Sequence, residues 1–106
     1  MDIAAIRNRL REFAEERDWE QFHSPKNLSM ALSVEVAELV EHFQWLTEAQ
    51  SRSPDAVDRD AVATEIADIQ IYLVMLADKL DIDIGRAVMD KIAANAIKYP
   101  SGGPTP

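Results

Sequence analysis

The chain has 106 residues, 11 Lys+Arg against 19 Asp+Glu and no cysteine, for a formal net charge of −8 at pH 7. That length supports one compact core, and 47% hydrophobic content excludes disorder over most of it. The acidity excludes a nucleic-acid polymer as partner, and the missing thiols exclude disulfide frameworks, cysteine nucleophiles and Cys-based zinc or iron–sulfur sites.

Met1-Asp2-Ile3 leads into charges at Arg7, Arg9, Arg11 and Glu12, so no secretory leader is expected. The spacing of Ile3, Ile6, Leu10, Phe13 and Ala14 predicts a first helix from about Asp2 to Arg17. Trp19 and Phe22 fall in the connection after it. Ser24-Pro25 and Ser53-Pro54 each place a capping hydroxyl before a proline suited to the first helical position. They predict a second helix from about Pro25 to Leu46 and a third from about Pro54 to Leu80. Asp83 caps a fourth, from about Ile84 to Lys98, which Tyr99-Pro100 ends. Residues 1–100 are thus expected to form a single all-α domain, with 101–106 a loose tail of turn formers.

Helices two and three are apolar over more than one stripe. Met30, Val36, Val40 and Phe43 lie off the line Leu28, Leu32, Leu39, Leu46, and Ile69 to Ala77 is apolar almost all round. Such helices must be covered on most sides, and four helices in one short chain do not suffice, so a four-helix bundle completed by homo-oligomerisation is expected. The apolar run is far short of the ~20 residues a bilayer span needs. A soluble, cytoplasmic protein with no membrane partner is expected.

Within the apolar stripe of helix two stand Glu35 and Glu38, about 60° apart on the helical wheel. Glu65 and Asp68 repeat the arrangement on helix three, among Ala61, Ile69, Tyr72 and Leu76. Antiparallel packing aims four carboxylates at one another, and anions so placed lose hydration and repel unless a cation sits among them. With only oxygen donors on offer, that cation is Mg²⁺ or Mn²⁺, its shell completed by waters and a substrate phosphate. A di-iron bundle asks instead for Glu-x-x-His on two helices; His23 and His42 stand at neither of the corresponding sites.

On helix four Lys91, Asn95 and Lys98 share one face. Cations there suit phosphate oxygens; they equally suit the negative end of a helix dipole. Trp19, Trp45 and Tyr72 are the aromatics able to stack on a nucleobase, although core packing is the commoner use of such side chains.

An ExxE pair at Glu35 and Glu38, 26 intervening residues and an ExxD pair at Glu65 and Asp68 resemble the MazG-like all-α nucleoside triphosphate pyrophosphatases, and most closely their dCTP pyrophosphatase type. The resemblance extends over Glu16-Arg17-Asp18-Trp19-Glu20-Gln21-Phe22-His23, Pro25-Lys26-Asn27-Leu28, Phe43-Gln44-Trp45, Asp68-Ile69-Gln70-Ile71-Tyr72-Leu73, and Lys91, Asn95 and Lys98-Tyr99-Pro100. It implies Mg²⁺ ligation by Glu35, Glu38, Glu65 and Asp68, a base pocket at Trp19, Trp45 and Tyr72, and phosphate contacts from Lys91 and Asn95, with Lys98 where the family keeps a basic residue. It also implies a dimer or tetramer and a role in cleaning the nucleotide pool.

The implied reaction is hydrolysis of a nucleoside triphosphate, dCTP or a related or modified deoxynucleotide, between the α and β phosphates. Glu38 is the candidate to take the proton of the attacking water. Leu10 stands where dCTP-specific relatives keep a histidine near the base, which implies relaxed base selectivity. The competing expectations are a non-enzymatic helical interaction module and an all-α hydrolase for dUTP or another nucleotide.

Overall fold

Every long helix of the protein begins at a side-chain cap that the sequence supplies. In the computed structural model, which describes residues 1–103, Asp2 opens α1 (Ile3–Glu16) by accepting from the Ala5 N–H at 3.0 Å. Ser24 opens α2 (Pro25–Glu41) by accepting from the Asn27 N–H at 3.1 Å, with Pro25 in the first turn. Asp58 opens α4 (Arg59–Lys79), and Asp83 opens α5 (Ile84–Lys98) by accepting from the Arg86 N–H at 3.0 Å. Each cap satisfies a donor that the first helical turn leaves unpaired. No strand occurs among the described residues, and no helix among them is long and apolar enough to cross a membrane.

The middle of the chain departs from the expected boundaries. The second helix ends at Glu41, not Leu46, because His42 to Leu46 form tighter turns in which Phe43 and Gln44 both donate to the Val40 carbonyl. Thr47 is then extended and starts a separate single-turn helix, α3 (Glu48–Ser51), through a reciprocal capping box with Gln50. Ser53-Pro54 opens only a 3₁₀ turn over Pro54–Ala56, and the Ser53 side chain makes no capping bond. Val57 is extended and Asp58 caps, so the third long helix begins at Arg59, five residues later than Pro54. Residues 104–106, part of the expected tail, lie outside the described residues.

Two helices close with the same C-terminal device. After α1 the Trp19 N–H returns to the Ala14 carbonyl at 2.9 Å with Asp18 at φ 54°; after α4 the Ile82 N–H returns to the Ala77 carbonyl at 2.8 Å with Asp81 at φ 53°. Glycine suits this left-handed position best, and an aspartate there also opposes the helix dipole. Asp81→Gly is therefore expected to stabilise the protein by about 0.5–1 kcal/mol in thermal melting.

α2 and α4 pack antiparallel as the main pair, since His42 at the end of α2 meets Glu65 early in α4 while Glu35 shares a cavity with Asp68 and Tyr72 farther along. α1 lies along α4, joined by a forked ion pair in which Arg11 Nε donates to Asp78 Oδ2 at 2.8 Å and Arg11 Nη2 to Asp78 Oδ1 at 2.5 Å. The Arg11 guanidinium holds the Asp78 carboxyl below the usual carboxylate range against the opposing effect of burial. The pair's contribution is therefore complete above the ordinary carboxylate pKa and is lost on acidification through the lowered one.

The fully buried core of one chain is small. Among the described residues it consists of Ala14, Leu28, Val74 and Ala77, while Met30, Val36, Val40, Met89 and Ile92 are exposed. α5 packs substantially on no other helix. The radius of gyration is 16.9 Å, against about 13 Å for a compact domain of this length.

Candidate active site

The register of α2 against α4 gathers acid in the half-buried seam between them. Carboxylate oxygens of Glu35, Glu38 and Glu65 lie within 4.8 Å of one another. Glu35 Oε2 and Glu65 Oε2 are buried and have no hydrogen-bond partner, an arrangement that costs folding free energy unless a ligand satisfies it. Burial, and then the hydrogen bond and charge of Glu38 together with the charges of Asp68 and Glu65, push the Glu35 carboxyl above its ordinary range. Burial and the neighbouring Glu38 and Asp68 do the same to Glu65, against a smaller opposing influence of His42. The His42 ring stands at the edge, with Nε2 3.8 Å from Glu65 Oε1. Asp68 is not within the 4.8 Å group, but it is close enough for its charge to act on both Glu35 and Glu65.

These donors fit a hard divalent cation. All are carboxylate oxygens, and two are unpaired and shielded from water.

Beside the acids opens a cavity of about 340 Å³. α1 lines it with Leu10, Phe13 and Ala14, α4 with Ile71, Tyr72 and Met75, and Glu35 and Asp68 contribute its carboxylates. The returning turn after α1 brings in Trp19, whose ring meets Phe13 edge-on at 5.5 Å; the Arg17 guanidinium lies over the Phe13 ring, 3.5 Å from its centroid. A flat aromatic ligand would find apolar walls and an acidic end.

The structure thus brings Glu35, Glu38 and Glu65 together, sets Asp68 close by, and joins Trp19 and Tyr72 in one cavity. Trp45 is elsewhere, 87% exposed in the turns after α2. Lys91, Asn95 and Lys98 lie on exposed α5 and line no part of the cavity; Lys98 Nζ rests 5.2 Å from the ring of Tyr99. Phe13, His23 and Met75 are lining residues that sequence reasoning did not single out. Phe13 belongs to the apolar stripe of α1 and reads as core; only the gap between α1 and α4 makes it a wall. His23 does carry a signal, since it closes the segment that bears Trp19.

Comparison with known proteins follows the same lines. The MazG-like family model matches residues 30–103. The chain is 48% identical over 98 residues to dCTP pyrophosphatase 1 of Rattus norvegicus, covering 90% of this chain and 57% of that protein. To dCTP pyrophosphatase 1 of Homo sapiens it is 47% identical over 100 residues, covering 91% and 58%. It therefore spans less than two thirds of the length of these curated relatives. A crystal structure of a pyrophosphatase from Archaeoglobus fulgidus superposes with a TM-score of 0.86 at 39% identity, covering 95% of this chain and 94% of that one.

Proposed function

Because the chain belongs to the MazG-like family, we propose that it is a divalent-metal-dependent nucleoside triphosphate pyrophosphohydrolase. The observation that carries the reading is the convergence of Glu35, Glu38 and Glu65, two with orphaned buried oxygens, beside a cavity walled by Trp19 and Tyr72. Water breaks the bond between the α and β phosphates of the nucleotide, releasing a nucleoside monophosphate and pyrophosphate. The names of the relatives support dCTP as one substrate.

Glu35, Glu38, Glu65 and Asp68 would hold Mg²⁺, or Mn²⁺ in its place. When bound, the metal neutralises phosphate charge and acidifies water. The protein's own groups do the rest. Trp19 and Tyr72 clasp the base by stacking, which is worth roughly 1–3 kcal/mol per base. Leu10 offers the base no hydrogen bond, so selectivity among pyrimidine and other deoxynucleotides is relaxed. Glu38 takes the proton of the attacking water.

Trp45, Lys91, Asn95 and Lys98 serve the nucleotide from a neighbouring copy: Trp45 toward the base, and the α5 side chains toward the phosphates and departing pyrophosphate. The small single-chain core and the unpacked, apolar α5 support a homodimer or homotetramer. In the cell, such an enzyme clears unwanted deoxynucleotides from the pool.

The test is an assay over the common and several modified nucleoside triphosphates, with both products identified. Mg²⁺-dependent formation of monophosphate and pyrophosphate, dCTP among the better substrates and dUTP included for comparison, is expected, with no turnover in EDTA. Release of pyrophosphate from no nucleotide would leave a helical interaction module as the better reading.

A further inference from the structure

We infer that Arg11 and Asp78 are positioning residues for nucleotide binding: their forked ion pair fixes α1 against α4 and so sets the width of the aromatic cavity between them. The inference rests on the pyrophosphohydrolase reading for its ligand but on independent geometry for its mechanism. Neither residue lines the cavity, and neither touches the acid cluster. Among the described residues, theirs is the only ion pair made by an Arg or Lys that joins two helices.

The pair sits behind the wall. Leu10, Ala14, His23 and Met75 face the nucleotide cavity on one side and, on the other, a second cleft lined by Arg11 and Asp78. Met75 precedes Asp78 by one turn of α4, and Leu10 adjoins Arg11 on α1, so a shift at the pair is a shift at the wall. Trp19 moves with them, because its N–H is tied to the Ala14 carbonyl at the end of the same helix. Asp78 is 17% exposed and Arg11 53%, which shelters the carboxylate while the guanidinium reaches it from the rim. A two-pronged Arg–carboxylate contact fixes orientation as well as distance, which a single apolar contact between two smooth helices does not.

Asp78→Asn keeps the shape and removes the charge. For dCTP with Mg²⁺, KM is expected to rise at least ~5-fold while kcat stays within ~2-fold, the signature of lost binding without lost chemistry. Arg11→Lys keeps the charge but not the fork, and is expected to fall between Asp78→Asn and wild type; it also carries the test should Asp78→Asn fail to fold. A second readout needs no turnover. With Trp45 replaced by phenylalanine, Trp19 is the sole indole, and acrylamide is expected to quench it more strongly when either partner of the pair is changed. Wild-type protein that turns over no nucleotide would refute the enzymatic reading alone, and Trp19 quenching would then decide the positioning role. Unchanged KM in both variants, a loss confined to kcat, or, in an inactive protein, unchanged Trp19 quenching would overturn it.

Discussion

Glu38→Gln and Glu65→Gln are each expected to lower kcat/KM by at least about 100-fold and, in EDTA, to raise the melting temperature. The two effects have one cause. Three carboxylates crowd within 4.8 Å, Glu35 and Glu65 carry buried oxygens without partners, and both are pushed toward the protonated form by burial and by the neighbouring acids, Glu38 first among them. Without metal, folding must hold these charges together at neutral pH, whereas the unfolded chain lets them separate into water. A neutral amide removes one charge and donates a hydrogen bond to a remaining carboxylate, so the metal-free fold gains.

The same substitution takes away a ligand. Mg²⁺ should therefore stabilise wild type by an amount that grows with the logarithm of its concentration above Kd and stabilise the variants far less. Calorimetry with and without Mg²⁺, paired with the product assay, reads both effects. A variant with normal turnover, or one that melts lower in EDTA, would contradict the metal assignment.

The second large effect concerns α5. Ile92 is 56% exposed on a helix that packs on nothing substantial in its own chain. If the chain acted alone, Ile92→Asp would change stability by no more than about 0.5 kcal/mol. In the proposed oligomer the side chain is covered by a second copy, and exchanging it for a carboxylate forfeits about 1.5–3 kcal/mol of burial per chain and adds an unpaired charge. Ile92→Asp is expected to sediment as a smaller species than wild type and to melt lower. It should also lose turnover, because α5 carries Lys91, Asn95 and Lys98. A wild-type monomer at micromolar concentration, or an unaltered assembly in Ile92→Asp, would remove this reading.

How much was legible in the sequence depended on whether a feature was local. The start of α1 follows from apolar spacing and the two ends of α5 from a cap and a terminating proline, and the expected and observed boundaries agree. The segment between Glu41 and Arg59 did not follow, because three capping signals compete there. Ser53-Pro54 has the stronger composition, yet Asp58 wins α4 by accepting two backbone N–H groups where Ser53 accepts none. Thr47 and Gln50 spell a capping box, but it follows directly on an apolar pattern that continues to Leu46. Trp45 consequently lies in an exposed turn, not at the end of a helix.

The acidic pairs belong to both categories. By itself the sequence determined that Glu35 and Glu38 share a face of one helix and Glu65 and Asp68 a face of another, since 3.6 residues per turn leave no other outcome. It also determined that no thiolate was available as ligand, and that more apolar surface was present than one such chain covers. Only the tertiary structure decided that Glu35, Glu38 and Glu65 meet within 4.8 Å with Asp68 set beside them, that the gap between α1 and α4 is walled by Phe13, Trp19 and Tyr72, and that α5 stands away from both. Spacing within a helix is dictated by backbone hydrogen bonds between near neighbours. The distance between helices is dictated by how side chains remote in sequence interlock, Arg11 with Asp78 across 67 positions among them, and no local pattern encodes that register.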